Sequence, residues 1–133
     1  MQTTKVVWTN GCFDVLHRGH IELFKYAKSL GDYLVVGVDT DERIRASKGT
    51  SRPFNTIEDR VVILESIKYI DEVVWFDADY ELDTQVLLSH AEIMVVGSDY
   101  KDKEVIGSRH VQEIRFFDRI DGYSTTNILV GLQ

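Results

Sequence analysis

The sequence has little cysteine and little proline. Among its 133 residues there is one cysteine, Cys12, and one proline, Pro53. A single cysteine excludes an intrachain disulfide framework and any zinc site built from two or more thiolates. No run of about 18 apolar residues occurs, so we expect no transmembrane helix. The first residues lead into a strand-like run at Val6 without a signal-peptide pattern, and we therefore expect a cytoplasmic protein.

Positive charge is also scarce. The chain carries 15 Lys and Arg residues against 22 Asp and Glu residues, which gives a formal net charge of −7. Nonspecific nucleic-acid binding draws most of its affinity from neutralised phosphates, so we expect no nucleic-acid partner. An anionic ligand would have to be held by a few local residues. The hydrophobic share of 44% and the length fit one globular domain over residues 1–133.

Short apolar runs and helix-like segments alternate along the chain. The runs are rich in β-branched residues and lie at 6–8, 33–38, 73–76, 93–96 and 114–117. Such runs are typical of strands buried on both faces. Apolar residues at helical spacing lie in segments 20–30, 56–69, 82–90 and 104–113, and one long irregular stretch lies at 39–55. The pattern predicts an α/β fold, a Rossmann-like doubly wound sheet of five parallel strands in a single domain.

The turn after the first predicted strand carries the strongest functional signal. From residue 9 it reads TNGCFDVLHRGH and leads directly into an amphipathic helix. An open α/β sheet binds ligands outside the carboxyl ends of its strands, and the free amides of a helix start suit an anion such as phosphate. His17 and His20, on either side of Gly19, have ring nitrogens that can donate hydrogen bonds to that anion. The pattern predicts that phosphate charge is stabilised here without a protein nucleophile.

The spacing His-x-Gly-His after Gly-x-Phe-Asp resembles the signature of the HxGH nucleotidyltransferase superfamily. Its members join a nucleoside triphosphate to a phosphorylated substrate and release pyrophosphate. Near the other end of the chain, Ser124-Thr125-Thr126 resembles the superfamily's second phosphate-binding motif. Intervening segments, among them Lys48-Gly49 and Gly97-Ser98-Asp99, are most similar to the adenylyltransferases that make ADP-heptose from D-glycero-D-manno-heptose 1-phosphate.

The resemblance implies a reaction and its partners. The sugar phosphate would attack the α-phosphorus of ATP in line, and magnesium pyrophosphate would leave. Mg²⁺ is the expected cofactor, bound mainly through the triphosphate, with no protein metal ligands assigned. In many bacteria this activity is one half of a bifunctional protein whose other half is a sugar kinase, so we expect a separate kinase to supply the substrate. Relatives are commonly dimers, and we expect a homodimer that acts in bacterial surface polysaccharide synthesis.

The resemblance also assigns residues to three groups. The expected catalytic residues are His17, His20 and Lys48. The expected nucleotide-binding residues are Thr9, Asn10, Gly11, Cys12, Phe13, Gly19, Gly97, Asp99, Arg119, Gly122, Tyr123, Ser124, Thr125 and Thr126. The expected acceptor-binding residues are Asp14, Lys48, Arg52 and Arg60. Cys12 is expected beside the pocket as a small buried side chain, because the reaction needs no covalent step.

Several alternatives stay open at this point. Residues Arg119 to Gly122 also resemble glycerol-3-phosphate cytidylyltransferases, so CTP and a polyol phosphate are the rival substrates. A noncatalytic nucleotide-binding module is a rival of another class. Asp14 can orient a histidine, bind magnesium through water, or cap its own turn.

Overall fold

The structure, a computed structural model, describes residues 4–118. Within this range five strands form one sheet: β1 (Val6–Gly11), β2 (Tyr33–Asp39), β3 (Glu72–Phe76), β4 (Ile93–Gly97) and β5 (Glu113–Phe117). All neighbouring strands are parallel, and their order is β3-β2-β1-β4-β5. The predicted fold class, a doubly wound α/β sheet of five parallel strands, is confirmed.

In the described part of the chain four helices connect the strands: α1 (Arg18–Ser29), α2 (Asp41–Lys48), α3 (Ile57–Glu65) and α4 (Asp79–Ser89). Short 3₁₀ turns lie at Ser98–Tyr100 and Ser108–His110. None of the helices between residues 4 and 118 is long and apolar enough to cross a membrane.

The sheet buries apolar side chains on both faces, because successive strand residues point to opposite sides. On one face, Phe24 of α1 and Leu64 of α3 pack on the sheet, and both are fully buried. On the other face, Leu82 of α4 packs near Trp8, which is also fully buried. Trp75, which the apolar pattern placed in the core, is 55% exposed, because β3 is an edge strand among residues 4–118 and there pairs only with β2.

The stretch 39–55 is not wholly irregular, because α2 occupies its first half. Thr40 accepts the Arg43 backbone N–H through its hydroxyl and caps this helix. Acidic residues follow in the first turn and Gly49 ends the helix with a φ of 99°. These are ordinary start and stop signals, and the long-loop prediction overlooked them. Lys48 therefore lies in the last turn of a helix rather than in a loop.

The helix predicted at 104–113 is wrong. Gly107 has a φ of 88°, and a Cβ atom added there would lie 2.7 Å from a Val86 methyl group. The left-handed backbone breaks the helical spacing, and only the 3₁₀ turn at Ser108–His110 forms. The segment lies against α4 as a consequence.

Candidate active site

The site lies where β1 and β4 part. These strands pair only through Val7 with Ile93 and Trp8 with Met94. Beyond them the Thr9 hydroxyl donates a 2.8 Å hydrogen bond to the Val95 carbonyl. In the order β3-β2-β1-β4-β5 this is the point at which the strand order reverses, and open α/β sheets bind ligands at such a point.

A cavity of about 730 Å³ opens at this edge of the sheet. Its wall combines the carboxyl ends of β1, β2 and β4 with α2 and with the segment after β4. The lining residues include Thr9, Asn10, Gly11, Cys12, Asp39, Arg43, Lys48, Gly97, Tyr100 and Glu104. Six of these were expected from the sequence, and Asp39, Arg43, Tyr100 and Glu104 were not. The volume is within the range of small-molecule sites.

The histidine pair forms the N-terminal cap of α1. His17 is the N-cap residue, and its Nδ1 accepts the Gly19 backbone N–H at 3.0 Å. In return, Nδ1 of His20 accepts the His17 backbone N–H at 3.2 Å. This reciprocal arrangement is a capping box in which imidazoles replace the usual hydroxyl and carboxylate. The His-x-Gly-His spacing is therefore the N-cap-to-N3 spacing of a helix.

The caps also fix which ring nitrogens carry protons. Because Nδ1 of each ring accepts a backbone N–H, the neutral form of each ring carries its proton on Nε2. Burial and, to a lesser extent, the neighbouring His17 together lower the pKa of His20 from 6.5 to about 4. His20 is thus a neutral hydrogen-bond donor at pH 7. Two Nε2–H groups at a helix N-terminus suit a phosphate group.

Phe13 packs against His20 on one side and against Gly11, which lines the cavity, on the other. Its ring lies edge-on to His20, with 5.5 Å between centroids, and a Cβ atom on Gly11 would meet the same ring at 3.0 Å. Phe13 also has a φ of 47°, which is unfavourable for a bulky residue and is typical of functional turns. His17, Gly19 and His20 themselves lie beside the cavity and are not part of its wall.

Asp14 ties this turn to the loop before α3. Its side chain is completely buried. Its carboxylate accepts hydrogen bonds from the backbone N–H groups of Phe54 and Asn55, each at 2.8 Å, and from Arg52 Nε at 3.0 Å. In this conformation the carboxylate has no exposed surface for the expected acceptor contact. Asp14 instead fixes the turn and positions Arg52.

Arg60 is buried, and it joins three segments. Its guanidinium donates to the carbonyls of Cys12, Asp39 and Asn55 at 2.7 to 3.1 Å, and to Asp41 Oδ1 at 2.7 Å. Its side chain is 0% exposed, so the acceptor contact expected from the sequence is not possible in this conformation. Arg60 holds the ends of β1 and β2 against α2 and α3. It therefore fixes the positions of Cys12 and Asp39, which line the cavity.

Lys48 and Arg52 each keep a donor group that no described residue satisfies, and of the two only Lys48 lines the cavity. Lys48 lines the cavity, and its ammonium forms no hydrogen bond or ion pair with the described residues. The Nη2 atom of Arg52 has no hydrogen-bond partner among residues 4–118, which is rare for a buried donor. Burial raises the pKa of Cys12, so its thiol is protonated at neutral pH and is a poor nucleophile.

Of the remaining predicted residues, some lie within residues 4–118 and the others lie outside that range. Asn10 Oδ1 accepts a hydrogen bond from Trp8 Nε1 at 2.8 Å. This bond uses the amide oxygen, so the amide nitrogen of Asn10 points away from Trp8. Gly97 lines the cavity, and a Cβ there would lie 2.6 Å from Asp99 Oδ1, so glycine allows that carboxylate to fold back. Outside the described residues lie Arg119, Gly122, Tyr123, Ser124, Thr125 and Thr126.

Sequence reasoning missed Asp39 and Arg43 because the motifs that assigned Lys48 and Arg52 in the same stretch do not include them. The available signal was position, since Asp39 directly follows the apolar run of the second strand. Between residues 4 and 118 no group of three or more His, Cys, Asp or Glu side chains is arranged to hold a metal ion.

Comparisons with known proteins match nearly the whole chain. The profile of the family described as cytidylyltransferase-like matches residues 8–130. The bifunctional protein HldE of Campylobacter concisus (strain 13826) is 45% identical over 125 residues, which cover 94% of this chain and 26% of that protein. The bifunctional protein HldE of Helicobacter hepaticus is 39% identical over 133 residues, which cover 100% of this chain and 27% of that protein. The chain thus spans about a quarter of the length of these curated relatives.

Solved structures share the fold. The lipopolysaccharide core biosynthesis protein of Thermoplasma volcanium GSS1 has a TM-score of 0.73 and 26% identity, with coverage of 90% of this chain and 100% of that chain. Pantothenate synthetase of Thermus thermophilus has a TM-score of 0.65 and 13% identity, with coverage of 96% of this chain and 62% of that chain. The second likeness concerns the fold alone.

Proposed function

Because the chain belongs to the cytidylyltransferase-like family, we propose that it transfers AMP from ATP to D-glycero-D-manno-heptose 1-phosphate, giving ADP-heptose and pyrophosphate. The observation that carries the reaction type is the histidine pair. Both imidazoles accept backbone N–H groups at Nδ1 and so carry their protons on Nε2, at a helix start beside the sheet's switch point.

The acceptor assignment has separate support. Its basis is the resemblance of the sequence to heptose 1-phosphate adenylyltransferases and the match to proteins named bifunctional HldE. A solved relative at 26% identity is named a lipopolysaccharide core biosynthesis protein. A place in surface polysaccharide synthesis, in the cytoplasm, follows from the same proposal.

The protein's part in the reaction is positioning and charge stabilisation. The acceptor phosphate oxygen is the nucleophile: it forms a bond to the α-phosphorus of ATP as the bond to the pyrophosphate oxygen breaks. His17 and His20 would donate Nε2–H hydrogen bonds to the triphosphate, where negative charge grows in the transition state. Lys48, in the cavity wall, would hold the acceptor phosphate or the α-phosphate. The protonated Cys12 thiol takes no part.

Arg52 is the second acceptor-phosphate candidate. Asp14 fixes its Nε, and its Nη2 is a buried donor with no hydrogen-bond partner among residues 4–118, so a phosphate oxygen that reached it would satisfy it. A guanidinium suits this task because it can bind two phosphate oxygens at once. Asp14 and Arg60 would act as positioning residues, since neither side chain is exposed.

Magnesium would bind mainly through the triphosphate. Mg²⁺ keeps several waters and commonly takes one or two carboxylates in addition to substrate phosphates. The buried Asp14 carboxylate does not fit this task, because three protein donors already occupy it. Glu104 is a carboxylate in the cavity wall that fits it. When bound, the ion would neutralise charge on the leaving pyrophosphate.

A homodimer and a separate sugar kinase complete the proposal. Val62 on α3 is 66% exposed and Trp75 on β3 is 55% exposed, so apolar surface is available on neighbouring elements. Sedimentation equilibrium tests the dimer, with a single 15.3 kDa species as the contrary result.

Pyrophosphate release tests the reaction and its substrates. ATP and CTP would each be supplied with Mg²⁺ and with either anomer of heptose 1-phosphate or with glycerol 3-phosphate. We expect turnover with ATP and one heptose anomer. The pattern of residues Arg119 to Gly122 makes CTP with glycerol 3-phosphate the second candidate, and turnover with that pair would replace the proposal. Nucleotide binding without turnover of any pair would instead indicate a noncatalytic module.

A further inference from the structure

Asp39 is an acidic residue in the wall of a cavity proposed to bind two phosphorylated substrates. It is the last residue of β2, its side chain is 21% exposed, and it lines the cavity together with Lys48. A carboxylate repels phosphate, and the repulsion is stronger in a partly desolvated site. Asp39 is therefore unfavourable for a bare phosphate, and the hydrogen bonds of its two oxygens show which group it can bind instead.

Arg43 holds the Asp39 carboxylate in one orientation. Its Nε donates to Oδ1 of Asp39 at 2.8 Å. Arg43 is itself anchored, through the Asp77 carbonyl at 2.8 Å and Asp79 Oδ1 at 2.9 Å, and its guanidinium carbon lies 5.3 Å from the centroid of the Phe76 ring. An acceptor fixed in this way loses little conformational freedom when a ligand binds.

One oxygen of Asp39 remains available. Oδ2 has no hydrogen-bond partner among the described residues, while the Asp39 backbone carbonyl accepts from Arg60 Nη1 at 2.7 Å. Burial raises the pKa of the Asp39 carboxyl, and Arg43, Arg60 and Lys48 oppose that shift. The surrounding cations thus favour an ionised, oriented acceptor with one open oxygen, and O–H groups form short, strong hydrogen bonds to such an oxygen.

We infer that Asp39 binds hydroxyl groups of the acceptor and selects a polyhydroxylated sugar phosphate over a shorter polyol phosphate. This inference rests on the proposed function. The acceptor would place its phosphate toward Lys48 and its hydroxyl groups toward Asp39. A site that hydrogen-bonds a substrate hydroxyl strongly rejects an analogue without it, because the buried carboxylate oxygen is then left unpaired.

Titration calorimetry on the whole chain tests the inference without requiring turnover. Heptose 1-phosphate and a nonhydrolysable ATP analogue would be titrated into the wild type, Asp39→Asn and Glu42→Gln. Glu42 is a matched control because it is an acidic residue of α2, 73% exposed and outside the cavity wall. We expect Asp39→Asn to weaken sugar phosphate binding by at least about tenfold and ATP-analogue binding by less than about twofold, with Glu42→Gln unchanged.

The direction of the effect separates hydroxyl recognition from simple charge. Removing a negative charge from the cavity would by electrostatics alone strengthen the binding of any phosphate. Unchanged or tighter sugar phosphate binding in Asp39→Asn therefore overturns the inference, and so does an equal loss for both ligands. Failure of the wild type to bind any sugar phosphate also overturns it, whereas binding without pyrophosphate release overturns only the proposed reaction.

Deoxy analogues of the sugar phosphate provide a second measurement. One analogue that lacks a hydroxyl group should bind the wild type about tenfold more weakly and should bind Asp39→Asn no more weakly than the full sugar does. If Asp39→Asn does not fold, Asp39→Glu keeps the charge and displaces the carboxylate by one methylene. Equal discrimination among the analogues by the wild type and Asp39→Glu would contradict the inference.

Discussion

The imidazole rings of His17 and His20 stack with 3.9 Å between their centroids and 25° between their planes. Each ring accepts, through Nδ1, a backbone N–H of the helix start. The pair therefore has a structural task, capping α1, and a proposed chemical one, donating from Nε2. Substitutions that preserve the cap while removing the imidazole can separate the two tasks.

His20→Gln and His17→Asn should abolish most activity without unfolding the protein. Glutamine at N3 and asparagine at the N-cap both maintain capping hydrogen bonds, but neither provides an imidazole Nε2–H. We expect turnover to fall by at least about 10²-fold, as for loss of other transition-state donors, with unfolding free energies within about 0.5 kcal/mol of wild type. Chemical denaturation and pyrophosphate release measure the two effects. Near-normal turnover in both variants would refute the catalytic role.

His17→Ala is the companion variant, because it removes the cap as well. Loss of an N-cap acceptor costs about 1 kcal/mol of stability. We expect His17→Ala to be less stable than His17→Asn by about that amount, with similarly low turnover. Equal stability of the two variants would show that the cap hydrogen bond contributes nothing measurable.

Acid should destabilise the protein partly through His20. Its pKa is lowered from 6.5 to about 4 in the folded state, mainly by burial. The unfolded chain therefore binds the proton more readily, so the contribution of neutral His20 is complete above pH 6.5 and is lost as the pH falls toward about 4. Unfolding free energies between pH 4 and pH 7 should decline less steeply for His20→Gln than for wild type.

His90→Asn is the control for that experiment. His90 is exposed and has a φ of 57°, a left-handed conformation that asparagine tolerates. We expect it to keep the wild-type dependence on pH. Identical slopes for wild type and His20→Gln would show that the proton affinity of His20 does not differ between the folded and unfolded states.

Arg60→Met should strongly destabilise the protein. From the sequence alone Arg60 could be a solvent-exposed residue of its helix, but in the structure it is buried. The substitution leaves the Asp41 carboxylate and three carbonyls without their donors. Breaking such a buried network costs about 2–4 kcal/mol. Arg18→Met is the matched control. Its side chain is 71% exposed, and its ion pair with Glu22 is long, at 3.8 Å. We expect its free energy of unfolding to change by less than about 0.5 kcal/mol. Thermal denaturation of both variants makes the comparison, and similar melting temperatures would contradict the structural role of Arg60.

Lys48→Met should reduce catalysis with little effect on folding. The ammonium has no hydrogen-bond partner among the described residues, and its loss removes only a favourable charge near the C-terminus of α2, worth a few tenths of a kcal/mol. We expect kcat/KM to fall by about 10- to 100-fold, as for loss of a charged phosphate contact. Lys25→Met, an exposed lysine of α1 outside the cavity wall, should behave as wild type. Equal kinetics of the two variants would remove Lys48 from the site.

Much of this protein was predictable because its signals are local. Apolar runs without alternation predicted all five strands and the parallel sheet, since burial on both faces requires such runs. The spacing of His17 and His20 predicted the family, which the match over residues 8–130 confirms. The two clearest failures were also local: Thr40 and Gly49 signal the overlooked helix α2, and Gly107 signals the break in the helix predicted at 104–113.

Only the tertiary structure decided which polar side chains are available to a ligand. Asp14, Arg60 and Lys48 all have residue types that suit phosphate chemistry, but Asp14 and Arg60 are fully buried by segments about 20 to 50 residues away in the chain, and Lys48 is not. Asp39 became a candidate for the opposite reason, because folding places it in the cavity wall, anchors one of its oxygens and leaves the other without a hydrogen-bond partner among the described residues. Hydrophobic periodicity is a local property of the sequence, whereas the pairing of a charge depends on contacts between distant segments. The sequence by itself therefore determined the fold and the family, and the folded structure decided the roles of the charged residues.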